Sequence, residues 1–149
     1  MGQEERANEC WVQATKGPQE PAAAIYYNDA KPDKIFYQGL ALRRLGRDGE
    51  ANGRFYRLVN YGKQHLFEPQ VMDYFAVSLP DLLIWEGDGD LDMKNRIHCL
   101  YMLALGYYGL GDSRNAQRYL SDMERLDNNH QGAAQLRTLI SSGLLAACR

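Results

Sequence analysis

Charge of one sign, cysteine and long apolar runs are all scarce in this sequence, and each scarcity removes a class of function. The 17 Lys and Arg against 19 Asp and Glu leave a formal net charge of −2. No basic excess is therefore present to hold nucleic acid or an anionic membrane. No stretch approaches the roughly 20 apolar residues of a membrane span. The opening MGQEERANE is polar and lacks the apolar centre of a secretion signal, so a cytoplasmic setting is expected. Cys10, Cys99 and Cys148 lie far apart with no C-x-x-C pair. That pattern argues against a disulfide framework and a zinc site, and reads as buried or incidental thiols.

Catalytic motifs are equally scarce. The sequence has no Gly-rich phosphate loop, no H-E-x-x-H and no G-x-S-x-G. His98 and Cys99 are adjacent on an expected helix, so their side chains point about 100° apart and cannot pair as base and nucleophile. Gly87-Asp88-Gly89-Asp90-Leu91-Asp92 begins like a calcium loop, but the sixth and twelfth positions counted from Asp88 are Met93 and Cys99 where Gly and Glu are required. A solvated turn in which Asp90 or Asp92 caps the next helix is the expected reading. The sequence thus predicts no catalytic residues, no metal and no cofactor.

What is present is helical periodicity in 149 residues, a length that suits one domain spanning 1–149. Leu100, Leu103, Ala104 and Tyr107 recur at i, i+3, i+4 and i+7. Gly109 and Gly111 break that helix, Asp112 or Ser113 can cap the next, and Ala116, Leu120 and Met123 form its apolar stripe. An equivalent pattern stands 65 residues earlier, with Gly46 matching Gly111. Ile35, Gly39, Leu42, Ala51, Phe55 and Leu58 keep the same offset, while Gln38 stands where Leu103 is apolar. Asp48 is the expected cap and Gly62 the expected end of the second helix of that hairpin.

The remaining segments fill in around these hairpins. Glu4–Lys16 is expected to form an amphipathic helix with Ala7, Trp11 and Ala14 on one face and Trp11 as a core anchor. Pro21 opens another expected helix over 22–29. Residues of about 66–96 read as an irregular helical insert, with Val71, Tyr74, Phe75 and Ser78 at helical spacing before Pro80. After Asn129, the residues Ala133, Leu136, Ile140 and Leu144 line one side of an expected capping helix over about 130–147, which is also a candidate self-association surface.

The hairpin Ile97–His130 resembles a tetratricopeptide repeat, a helical hairpin of about 34 residues. The match runs through Leu100, Leu103, Ala104, Tyr107, Gly111-Asp112, Ala116, Leu120 and Met123, with Asn128 in place of the usual exit proline. PDKIFYQGLALRRLGR, DYFAVSLPDLLIW and NRIHCLYMLALGYYGLGD with LDNNHQGA are further similar to the C-terminal repeat region of large bacterial proteins whose earlier part is a β-rich domain of unknown function. The resemblance implies an all-α fold in which tetratricopeptide-like antiparallel hairpins, about 32–65 and 97–130, stack as a short right-handed solenoid.

In such repeats the first helix of each pair lines the concave face. That places Asp33, Phe36, Leu40, Arg43 and Arg44 there from one hairpin, and His98, Tyr101, Leu105 and Tyr108 from the other. Phe36, Leu40, Arg43, Arg44, His98, Tyr101, Leu105 and Tyr108 are the candidate binding residues. They are mostly aromatic and aliphatic, unlike the Lys, Asn and Arg of the tetratricopeptide carboxylate clamp. Either the groove binds something apolar or the insert, through Tyr74–Trp85, fills it. The expected function is a non-catalytic module that binds a protein or a neighbouring domain. The rival reading is an accessory fragment of a carbohydrate-active enzyme, in which Trp11, Trp85 or exposed tyrosines stack on sugar.

Overall fold

Two glycines in the left-handed region, Gly46 at φ 73° and Gly111 at φ 86°, turn the chain between paired helices. At the first, the Gly46 N–H donates to the Arg43 carbonyl and the Arg47 N–H to that of Leu42. At the second, Gly111 donates to Tyr108 and Asp112 to Tyr107. Each bond of one turn has its counterpart 65 residues on. Both are the same glycine-dependent helix stop, so the internal repeat read from the side chains is also a repeat of backbone geometry.

The computed structural model describes residues 2–26, 31–70 and 88–143. Its helices are α1 (Gly2–Ala14), α2 (Pro32–Arg44), α3 (Asp48–His65), α4 (Asp88–Gly109), α5 (Ser113–Leu126) and α6 (Gln131–Ser142), with a 3-10 turn at Ala24–Tyr26. No strand occurs among the described residues. Helix α3 packs against both α2 and α4, and α4 against both α3 and α5. Helix α6 lies on α4 and α5.

The core follows the repeat. Ala51 and Ala116 are both fully buried, as are Phe55, Leu58, Leu120 and Met123 on the second helix of each pair. Side chains shrink further where α3 meets α4. A Cβ at Gly62 would stand 2.9 Å from the Cys99 carbonyl oxygen, and one at Gly106 would stand 2.8 Å from that of Phe55. Gly62 therefore does not end α3, as its sequence position suggests; it lies buried inside the helix and lets two backbones meet.

Other boundaries differ from expectation for local reasons. Helix α4 reaches back to Asp88, so the Asp-rich stretch starts the helix instead of preceding it. Asp92 accepts from the Gln70 backbone N–H at 2.7 Å and so ties the helix start to the chain leaving α3. Asp112 is the N-cap of α5, accepting from Asn115 N–H at 3.1 Å. Asp48 is the first residue of α3, and Arg47 at the N-cap position makes no side-chain cap bond. The helix expected over 22–29 is only the turn Ala24–Tyr26 within the described residues. Helix α1 buries no residue, and Trp11 is 37% exposed, so it is not a core anchor. The expected helical pair within 71–87, including Trp85, and the end of the capping helix from Leu144 lie outside the described residues.

Candidate functional site

Of the eight residues assigned to a concave face, Phe36, His98, Tyr101, Leu105 and Tyr108 are buried. Leu40 and Arg43 are half-buried and Arg44 is exposed. The fold brings two of the aromatic members together, with Phe36 stacked on Tyr108 at 6.2 Å between ring centroids. These side chains are covered by the chain itself. Tyr108 Oη donates to the Leu139 carbonyl of α6 at 2.7 Å. The Tyr101 ring lies 4.9 Å from that of His130, and a Cβ at Gly132 would run into its phenol oxygen. Arg43 donates to the Gly109 carbonyl at 2.7 Å, closing the C-terminal end of α4.

The segment after α1 covers the rest of that face. Gln38 Nε2 of α2 donates to the carbonyls of Lys16 and Pro18 at 3.1 and 3.0 Å. Arg57 of α3 pairs with Glu20 at 3.0 Å. His98 of α4 meets the Ala22 carbonyl through Nε2 at 2.8 Å, which requires a proton on that nitrogen. Gln38, the one polar departure in the inner stripe, thus holds the segment after α1 as a strap through its Nε2, while its buried Oε1 has no hydrogen-bond partner among the described residues.

Titration chemistry in this interior favours neutral groups. Burial pushes the Cys99 thiol up to about 12. Its Sγ donates to Asn95 Oδ1 at 3.6 Å, so it is held as a thiol and is not a thiolate nucleophile. Burial pushes His98 below its ordinary value, against the opposing hydrogen bond to Ala22. His130 is also lowered by burial, against the nearby Asp127 and Asp33 charges. Among the described residues no group of three His, Cys, Asp or Glu side chains is placed to hold a metal ion. No helix among them is long and apolar enough to cross a membrane.

An open concavity lies elsewhere, on the edge where the chain just past α3 meets the middle of α4 and one side of α5. It has a volume of about 450 Å³ and an apolar lining from Leu66, Leu100, Tyr119 and Leu126. Phe67 stands at its rim, 78% exposed. Three guanidiniums line it, from Arg96, Arg118 and Arg125, against one carboxylate, Asp122. Asp122 pairs with Arg125 at 3.5 Å. Arg96 lies 5.8 Å from the Phe67 ring centroid and Arg118 5.8 Å from that of Tyr119. No carboxylate among the described residues pairs with Arg96 or Arg118.

Sequence reasoning passed over this groove because the residues belong to three separated segments and to the polar faces of their helices. One signal was available: Arg118, Asp122 and Arg125 fall at i, i+4 and i+7, a single stripe of α5. No protein-family model matches the chain, and no solved structure matches it.

Proposed function

We propose that this chain is a non-catalytic, tetratricopeptide-like helical-repeat module that binds a protein or a neighbouring domain, and that it does so through the α3–α4–α5 groove. The observation that carries the reading is the coincidence of an exposed Phe67, an apolar floor and two arginines with no carboxylate partner among the described residues. Arginine and aromatic side chains are the types enriched in protein interfaces, where they supply area and directed hydrogen bonds together. The matched turns at Gly46 and Gly111, and the small residues Ala51 and Ala116 at the two crossings, support a repeat architecture of stacked hairpins in a short right-handed solenoid. Among the described residues, α6 and the segment after α1 cover the aromatic members of the expected concave face, and the edge groove offers an open apolar and cationic surface.

A photoreactive amino acid at position 67, compared with one at the exposed Tyr56 on α3, tests this in living cells. A protein crosslinked from position 67 only, identified by mass spectrometry and shown to bind the purified chain, supports the reading. Equal crosslinking from both positions, or none from position 67, overturns it.

A further inference from the structure

We infer that the α3–α4–α5 groove recognises an acidic peptide segment carrying a bulky apolar side chain, with the apolar group on the Leu66–Leu100–Leu126 floor and its carboxylates on Arg96 and Arg118. The inference deepens the interaction reading and rests on it. Charge complementarity chooses the occupant. The chain as a whole is slightly acidic, with formal net charge −2, yet the lining of this cavity has three guanidiniums and one carboxylate. Asp122 is engaged with Arg125, so among the described residues Arg96 and Arg118 are the groove's guanidiniums with no carboxylate partner.

Each of the two arginines lies near an aromatic ring, Arg96 beside Phe67 and Arg118 beside Tyr119, with the guanidinium carbon 5.8 Å from the ring centroid, and a planar guanidinium can meet a carboxylate through two parallel hydrogen bonds. Tyr119 itself is fixed by stacking on Tyr107 at 5.5 Å with an interplanar angle of 10°. A volume of about 450 Å³ accepts one or two large side chains, so the anchor is a bulky apolar residue whose flanking acids sit on the rim. A basic peptide would meet two uncompensated positive charges, and a wholly polar acidic one would leave the leucine floor in water.

The test is fluorescence anisotropy on the full chain with three labelled peptides. One has Asp and Glu around a central Leu-Phe pair, one has Lys in place of every acid, and one has Gly in place of Leu-Phe. The acidic apolar peptide is expected to bind in the micromolar range, with the other two weaker by about tenfold or more. In the double variant Arg96→Glu, Arg118→Glu, whose positions are exposed, the preference is expected to reverse toward the lysine peptide while the thermal melt is unchanged. Absence of binding by the acidic peptide, or binding unaltered by the charge reversal, overturns the inference. So does a dimer in sedimentation that the double variant disperses, since the occupant is then a second copy. A position-67 crosslink obtained together with peptide failure removes only the acidic chemistry and leaves the interaction reading standing. Failure of both removes both.

Discussion

Gly62 brings α3 so close to α4 that the Cys99 carbonyl oxygen would lie 2.9 Å from any Cβ placed there. Alanine at this position is therefore expected to destabilise the chain by about 1–3 kcal/mol through overpacking. Gly53, on the exposed side of the same helix, has nothing within 4 Å of its Cβ position. Alanine there is expected to stabilise by roughly 0.5–1 kcal/mol, because it removes backbone entropy from the unfolded chain. Urea unfolding of Gly62→Ala and Gly53→Ala should thus move the midpoint in opposite directions, and equal shifts would contradict the assigned crossing. Ala116→Leu at the fully buried α4–α5 crossing belongs with Gly62→Ala, at about 1–3 kcal/mol.

His130 is the N-cap of α6, with Nδ1 accepting from the Ala133 N–H at 3.3 Å. A protonated ring cannot accept there. Burial lowers His130 and His98 below the ordinary 6.5, so as the pH falls the unfolded chain takes up protons before the folded one does. Stability from both groups is complete above about 6.5 and is lost as the pH falls through their folded values. Thermal melts between pH 7.5 and 5 should show a falling midpoint, and His130→Asn, which caps without titrating, should flatten part of that slope. A midpoint that rises with acidification would contradict the assignment.

Thiol reactivity separates the cysteines. Cys10 is exposed and Cys99 is buried with its thiol pushed up to about 12. In a Cys148→Ser background, Ellman's reagent at pH 8 should titrate one thiol rapidly and the second only after unfolding. Rapid reaction of both in the folded chain would show that α4 opens at Asn95–Cys99.

The strap offers a cleavage readout. Gln38→Leu restores the apolar pattern of the other hairpin but removes two hydrogen bonds to the Lys16 and Pro18 carbonyls, a loss of about 1 kcal/mol each. Trypsin is expected to cut after Lys16 faster in this variant, and the melting midpoint is expected to fall by several degrees. Unchanged cleavage would mean that Arg57 and His98 hold the strap without help from Gln38.

The hairpins were legible in the sequence because helical spacing, Gly at the turn and Ala at the crossing each leave a local mark; Ala51, Ala116, Gly46 and Gly111 are where those marks place them. Gly62 departs from its sequence expectation because a glycine that ends a helix and one that admits a neighbouring backbone look alike until the neighbour is known. Trp11 departs because bulk alone does not supply a surface to pack against. Phe36, Tyr101 and Tyr108 share helical positions that suit an outer face, yet all three are buried. Which part of the chain covers that side depends on contacts such as Tyr108 to Leu139 and His98 to Ala22, separated by 31 and 76 residues, which no window of sequence contains. The groove was hidden for the same reason, being assembled from Leu66 and Phe67, Arg96 and Leu100, and the outer face of α5.

The central claim is that this groove is the contact surface, and amide chemical-shift mapping addresses it most directly. Titrating the acidic apolar peptide into the isotopically labelled chain should move the resonances of Leu66, Phe67, Arg96, Arg118, Tyr119 and Leu126 together, with one saturation curve. Tyr26, Tyr37 and Tyr56, exposed elsewhere on the surface, should stay in place. Shifts confined to those tyrosines or to α1, with the groove resonances unmoved at saturation, would contradict the account.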